Sequence, residues 1–232
     1  MRRISMTLVL ALAATLMVGG SVAAQAATVQ PRISTDGLSE FKLPPDLISK
    51  LAAGGVKLTA TAGAKATVSG STGYTTVVFP VIKQGQSGVV KNRGTLTMTS
   101  TATKGRVSLS DPTLVLPAAT GSDGSVVVTD PDSRKLTMTV FTVKNVVTTI
   151  KEGTPVKRGS LYIRKDLVSI TGDMYFTDDA KTVQRVNAAL VPSGAAPLIT
   201  AGQGFGALSS SFSVTSTCKT PSECKGWTPQ PE

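Results

Sequence analysis

Histidine is absent from this 232-residue sequence, and cysteine occurs only twice, as Cys218 and Cys224. Without histidine there is no Ser-His-Asp or Cys-His pair, and the commonest general base in enzymes is missing. Two cysteines with no imidazole also fall short of the ligand set of a soft-metal site, so no metal is expected. Aromatic residues make up 4% of the chain. Proteins that hold single-stranded nucleic acid interleave aromatic platforms with cations, and that scarcity counts against a nucleic-acid partner. Beyond residue 27 no apolar run approaches the ~20 residues of a membrane span.

What is present begins with an export signal. Arg2 and Arg3 form a positive start, Met6 to Val18 an apolar stretch, and Ala24-Gln25-Ala26 a small-residue cleavage site, the three parts of a secretory leader. Residues 1–27 are therefore expected to be a signal peptide. A retained anchor is the alternative, disfavoured by Gly19 and Gly20 interrupting the apolar stretch. Without Arg2 and Arg3 the chain keeps 22 basic residues against 14 acidic ones. The bases are scattered in singles and pairs, such as Lys91/Arg93, Lys157/Arg158 and Arg164/Lys165. A surface of that sign attracts anionic partners, which for a secreted protein means envelope polymers, lipid headgroups or acidic proteins. In an oxidising compartment Cys218 and Cys224 are expected to form a disulfide. It closes a short loop and contributes about 2 kcal/mol.

Residues 28–43 read as an extended lead-in. Pro45 to Ala53 reads as a short helix, with proline in its first turn, Asp46 beside the positive end of the dipole, and Gly54-Gly55 to stop it. From Val56 the texture is short runs of Val, Thr and Ile, often alternating, as in Leu96-Thr97-Met98-Thr99 and Leu136-Thr137-Met138-Thr139-Val140. The stretches 96–110 and 136–150 match at several positions, which we read as two strand regions with similar jobs. Ser122-Asp123-Gly124 and Asp130-Pro131-Asp132 supply turn chemistry. A second helix is expected after Thr177 as N-cap, with Asp178 and Asp179 in its first turn and Val183, Val186 and Leu190 as its apolar stripe. Ser210 to Ser216 reads as a last strand. The expected architecture is mainly β: an antiparallel β-sandwich or barrel-like domain over residues 44–216, with two short helices. Residues 217–232 form a tail with a small cysteine loop.

Chemistry-bearing groups are few. The acids Asp130/Asp132, Asp173 and Asp178/Asp179 are the candidates for the paired carboxylates of a polysaccharide hydrolase. Each also has a structural role ready to hand, as turn, strand end or helix first turn. Gly202-Gln203-Gly204-Phe205-Gly206 is glycine-rich but lacks the strand-and-helix setting of a phosphate loop, and reads as a turn before the last strand. Tyr74, Tyr162 and Tyr175 are the side chains that could ligate haem iron as phenolates.

The order of elements from Leu38 to Ser216 resembles secreted actinobacterial proteins related to the HtaA-type domain. The resemblance is carried by Val77-Val78-Phe79-Pro80-Val81, Gly94-Thr95-Leu96-Thr97-Met98, Val107-Ser108-Leu109-Ser110-Asp111, the LTMTVF run at 136–141, the helix Asp178 to Leu190, and the segment Phe205 to Val214. It implies a β-rich fold with a couple of short helices. It also implies haem capture at the cell surface through a tyrosine assisted by histidine. Here the chain departs from the pattern: it has no histidine, Trp227 lies in the tail, and no ligand tyrosine transfers to a numbered position. The leading expectation is a secreted, non-enzymatic binding or envelope-associated module with no cofactor. A haem-binding module and a carboxylate-dependent hydrolase are the alternatives. Sequencing the N-terminus of the exported chain should find it beginning close to Ala27; a retained Met1 would overturn the leader.

Overall fold

Strands form where apolar residues alternate with threonine and serine, because period two puts one set on the core and the other in water. The computed structural model describes residues 32–33, 36–70, 73–82, 88–117, 122–129 and 137–224. The leader, Asp130, Asp132, Leu136 and Trp227 lie outside the described residues. In chain order the elements are β1 (Arg32–Ile33), β2 (Leu38–Leu43), α1 (Pro45–Ala53), β3 (Val56–Thr61), β4 (Lys65–Val68), β5 (Thr75–Pro80), β6 (Val89–Lys91) and β7 (Thr95–Ser100). There follow β8 (Arg106–Val115), β9 (Gly124–Thr129), β10 (Thr137–Lys151), β11 (Val156–Arg158), β12 (Leu161–Phe176), α2 (Ala180–Leu190) and β13 (Gly204–Cys218).

All pairings are antiparallel within one sheet, whose order is β3-β7-β8-β9-β10-β12-β13-β2-β5-β4. The sheet curls into a nearly closed barrel-like form, resolving the choice between sandwich and barrel. Closure comes from a short join. Val81 bridges Asn92, with Ile82 N–H on Lys91 O and Arg93 N–H on Pro80 O. From there β6 pairs β8, which completes a circuit through β9, β10, β12, β13, β2 and β5. β8 serves two neighbours on one side: Arg106–Ser110 pair with β7 and Thr113–Val115 with β6. Between them Asp111 turns at φ 45° and accepts the Gly94 N–H on Oδ1. Pro112 follows where the β8–β9 register shifts, a place where a missing N–H does no harm.

The core is one cluster lining the inside. Phe141, Phe176 and Phe205 pack on one another with ring centroids 4.3–5.3 Å apart, and Phe41 lies 4.8 Å from Phe79. Fully burying such rings is worth about 2 kcal/mol each, with a further increment from tilted aromatic contacts. Helix α1 spans the expected residues and turns Leu47 and Leu51 inward. Helix α2 turns in Val183, Val186 and Leu190 as its stripe requires, but its N-cap is Asp179 rather than Thr177. Asp179 accepts the N–H of Lys181 and Thr182 and the Thr182 hydroxyl. That hydroxyl first, then the two amides, hold its carboxyl below the ordinary pKa. Thr177 is buried instead, with its N–H on Val140 O. Asn187 clips the following segment to α2, accepting from Leu198 and Ile199 N–H and donating to Ile199 O at 2.7 Å. Leu198 in turn lies against Gly54 at the end of α1. Both helices thus close the barrel end at which β12 finishes.

Several expectations change in extent. The lead-in contributes the full strand β2, whose Ser39 meets Ser210 of β13 at 2.8 Å inside the sheet. The last strand begins at Gly204, not Ser210, so the glycine-rich segment is largely strand rather than turn, and it runs on through Thr217 and Cys218. Residues 96–110 are a hairpin of β7 and β8, whereas the described part of 136–150 is a single strand, so their matching residues do not mark a repeated unit. Gly206 shows why glycine belongs there. Its φ is 149°, and a Cβ would stand 2.1 Å from Lys42 O. Gly206→Ala should therefore destabilise by at least about 2 kcal/mol, read as a lowered denaturant midpoint; an unchanged midpoint would contradict this packing.

Candidate functional site

The three tyrosines do not come together. Tyr74 is exposed in the turn before β5. Tyr162 and Tyr175 stand at opposite ends of β12, thirteen residues and so roughly 40 Å apart, and their odd and even positions put them on opposite faces. Lys144 Nζ lies 5.1 Å from the Tyr175 ring centroid, a cation–π contact. Tyr162 faces Cys218 across the ladder. The carboxylates are similarly dispersed: Asp173 accepts from Asn145 Nδ2 at 2.9 Å, Asp179 caps α2, and Asp178 stands beside Gly202. Among the described residues no group of three His, Cys, Asp or Glu could hold a metal ion, and no helix is long and apolar enough to cross a membrane.

The distinctive region is where β12 and β13 outrun the barrel. After β10 ends at Lys151 the chain steps through Glu152 to Pro155, then β11 pairs with the start of β12: Val156 opposite Ile163, Lys157 opposite Tyr162 and Arg158 opposite Leu161. The two-residue turn Gly159-Ser160 has a positive φ of 61° at glycine alone, the requirement of a type II′ hairpin. No other atom comes within 4 Å of where a Gly159 side chain would begin, so the tip stands clear. This hairpin, backed by the end of β13, forms an arm.

Its two faces differ. One carries Tyr162, Arg164 and Asp166, in line with Val168 and Ile170 of the barrel interior. Asp166 is buried, and its Oδ1 accepts Arg164 Nε at 2.7 Å and Gly153 N–H at 2.9 Å. Arg164 continues outward to Glu152 at 3.1 Å and donates through Nη1 to Cys224 O at 3.1 Å. The Asp166 bond chiefly, with Glu152 assisting, raises the Arg164 guanidinium above its ordinary pKa, so it stays charged at all working pH. The Cys218–Cys224 disulfide and the turn Pro221–Glu223, whose Glu223 accepts Lys219 and Thr220 N–H, hold Cys224 over this face. A spacing of two puts Arg164 and Asp166 on one face of the strand, but no local pattern in the sequence announces that the pair is buried.

The other face is bare. Val156, Leu161, Ile163 and Leu167 are 53%, 40%, 37% and 45% exposed. Lys151, Arg158, Lys165 and Lys219 surround them, all exposed, and Lys157 beside Arg158 projects from the other face. The nearby acids are engaged, Glu152 and Asp166 with Arg164 and Asp36 with Lys165 at 3.3 Å. From Lys151 to Leu167 there are five basic and two acidic residues.

No family model matches the chain, and no curated protein does. Among solved structures, the C-terminal domain of HtaA from Corynebacterium glutamicum overlays with a TM-score of 0.43 at 10% sequence identity, over 78% of this chain and 99% of that one. Likeness at that level assigns no ligand or activity to the chain.

The buried pair supplies the test of the arm's construction. Asp166→Asn leaves the Arg164 guanidinium without its buried counter-charge and should cost about 3 kcal/mol in chemical denaturation. The double change Arg164→Met with Asp166→Leu should cost clearly less, because it removes both charges. Equal losses would mean that the pair does not hold the arm.

Proposed function

We propose that this chain is a secreted, non-enzymatic binding module that works at or outside the cell envelope, and that it binds through the bare face of the arm. The observation that carries the reading is the coincidence, on one face of the arm, of four exposed aliphatic side chains and a rim of exposed cations. Singly exposed aliphatics need no explanation; a grouped set on a clear protrusion is what interaction surfaces have. The rest of the molecule is consistent with binding rather than turnover. Histidine is missing, and Asp166, Asp173 and Asp179 each hold a neighbouring group in place. The disulfide fits an extracellular setting.

The test is retention on bacterial envelope fragments. The chain purified after export should pellet with them. The variant Val156→Thr, Leu161→Thr, Ile163→Thr and Leu167→Thr, which keeps strand propensity, should pellet roughly tenfold less at matched concentration. Retention equal to the parent would remove the arm from the binding surface, and no pelleting of the parent would remove the envelope reading.

A further inference from the structure

We infer that the arm's partner is an anionic lipid surface, with the tip lying in the headgroup layer. This rests on the arm being the binding surface, as proposed above. Two independent features select the partner. The first is the tip itself: Leu161, Ile163 and Val156 are adjacent on one face, since Val156 pairs with Ile163 and Leu161 is two residues along the same strand. The second is charge. Arg158 lies opposite Leu161 on the same face, Lys165 follows Ile163 two residues on, and Lys219 lies at the margin, while Lys157, opposite Tyr162, belongs to the other face of the tip. None of Lys157, Arg158 or Lys219 has an acidic partner among the described residues.

The alternatives each leave one feature unused. A polyanionic wall polymer is held by cations and gives the aliphatic trio nothing to cover it. A neutral polysaccharide wants aromatic faces to stack on, and the one aromatic ring of the arm, Tyr162, is on the opposite face beside Cys218. A stable protein partner buries about 800 Å² on each side, some twenty residues, whereas the bare tip offers a few side chains. A lipid interface takes all of it: aliphatic groups enter the boundary of the acyl region while lysine and arginine stay with anionic headgroups. The geometry suits this. The type II′ tip is unobstructed, and the Arg164–Asp166 pair with the disulfide loop stiffens the face behind it, so contact requires little ordering of the chain.

The experiment is co-sedimentation of the exported chain with vesicles of phosphatidylglycerol and phosphatidylcholine, against vesicles of phosphatidylcholine alone. Three variants accompany it: Leu161→Thr with Ile163→Thr, Arg158→Glu with Lys219→Glu, and, as a charge-matched control on β3 and β4, Lys57→Glu with Lys65→Glu. Circular dichroism and thermal melting establish that each is folded. The expected result is binding to the anionic vesicles only, weakened by salt, reduced about tenfold or more by either arm variant, and unchanged in the control. Equal loss in the control, or undiminished binding by the Leu161/Ile163 variant, would reduce the effect to general cationic attraction and overturn the inference. Failure to bind anionic vesicles while envelope fragments still retain the chain through the arm would overturn the lipid partner and leave the binding module standing. Failure in both assays would overturn both.

Discussion

Everything inside this protein depends on the sheet meeting itself at Val81 and Asn92. A sheet left open there would expose Phe79, Val81 and Val90, which are buried beside the join, to water. The join is brief, and Asn92 is its centre. Buried almost completely, it gives its N–H and Nδ2 to Pro112 O while bridging Val81. Its Oδ1 has no partner among the described residues, a cost that the completed circuit outweighs. The turn at Asp111 and the proline after it follow from the same requirement. β8 must release β7 and take up β6 on one side without breaking its ladder with β9, and the bulge there does so.

The arm is the counterpart of that closure. A barrel wall needs strands of limited length, yet β12 runs for 16 residues and β13 for 15. The excess has no opposite wall to pack on, so its inward face must be covered locally. A charged pair and a cysteine-closed loop do this where aliphatic packing would have no depth. With the inner face satisfied in that way, the aliphatic residues of the arm are left on the outside. The candidate surface is thus a by-product of strand length and of the choice to finish the inner face with Arg164 and Asp166.

Period two and helix punctuation made much of this legible in advance. Pro45 to Ala53 and the stripe Val183, Val186 and Leu190 rest on local chemistry, and local chemistry is what a sequence displays. The cap of α2 shows the limit: Thr177, Asp178 and Asp179 can all cap, and the burial of Thr177 against Val140 decides among them. The start of β13 was hidden because Gly204 and Gly206 look like a turn until the Lys42 carbonyl is seen pressing on Gly206. Asn92, Asn187 and the cover that Gly153 and Cys224 give the Arg164–Asp166 pair depend on partners brought together by topology, and nothing adjacent in sequence marks them. One signal for the arm was present. In 161–170, Leu161, Ile163 and Leu167 share one parity and Val168 and Ile170 the other, so this strand carries apolar groups on both faces while Arg164 and Asp166 take inward positions.

Strand β2 lies between β5 and β13, so a residue near the start of the described chain, Ser39, is buried against Ser210 across a separation of 171 positions. Pairings between such distant residues form late, since the intervening chain must be brought round before they gain anything. The circuit cannot be completed until β13 is available, and no smaller set of strands encloses the phenylalanine cluster, because Phe205 belongs to β13 itself. Neighbouring strands such as β7, β8 and β9 can pair before β13 does, but the enclosed core cannot form without it. Wherever the final strand is released, that is where this protein first acquires an interior.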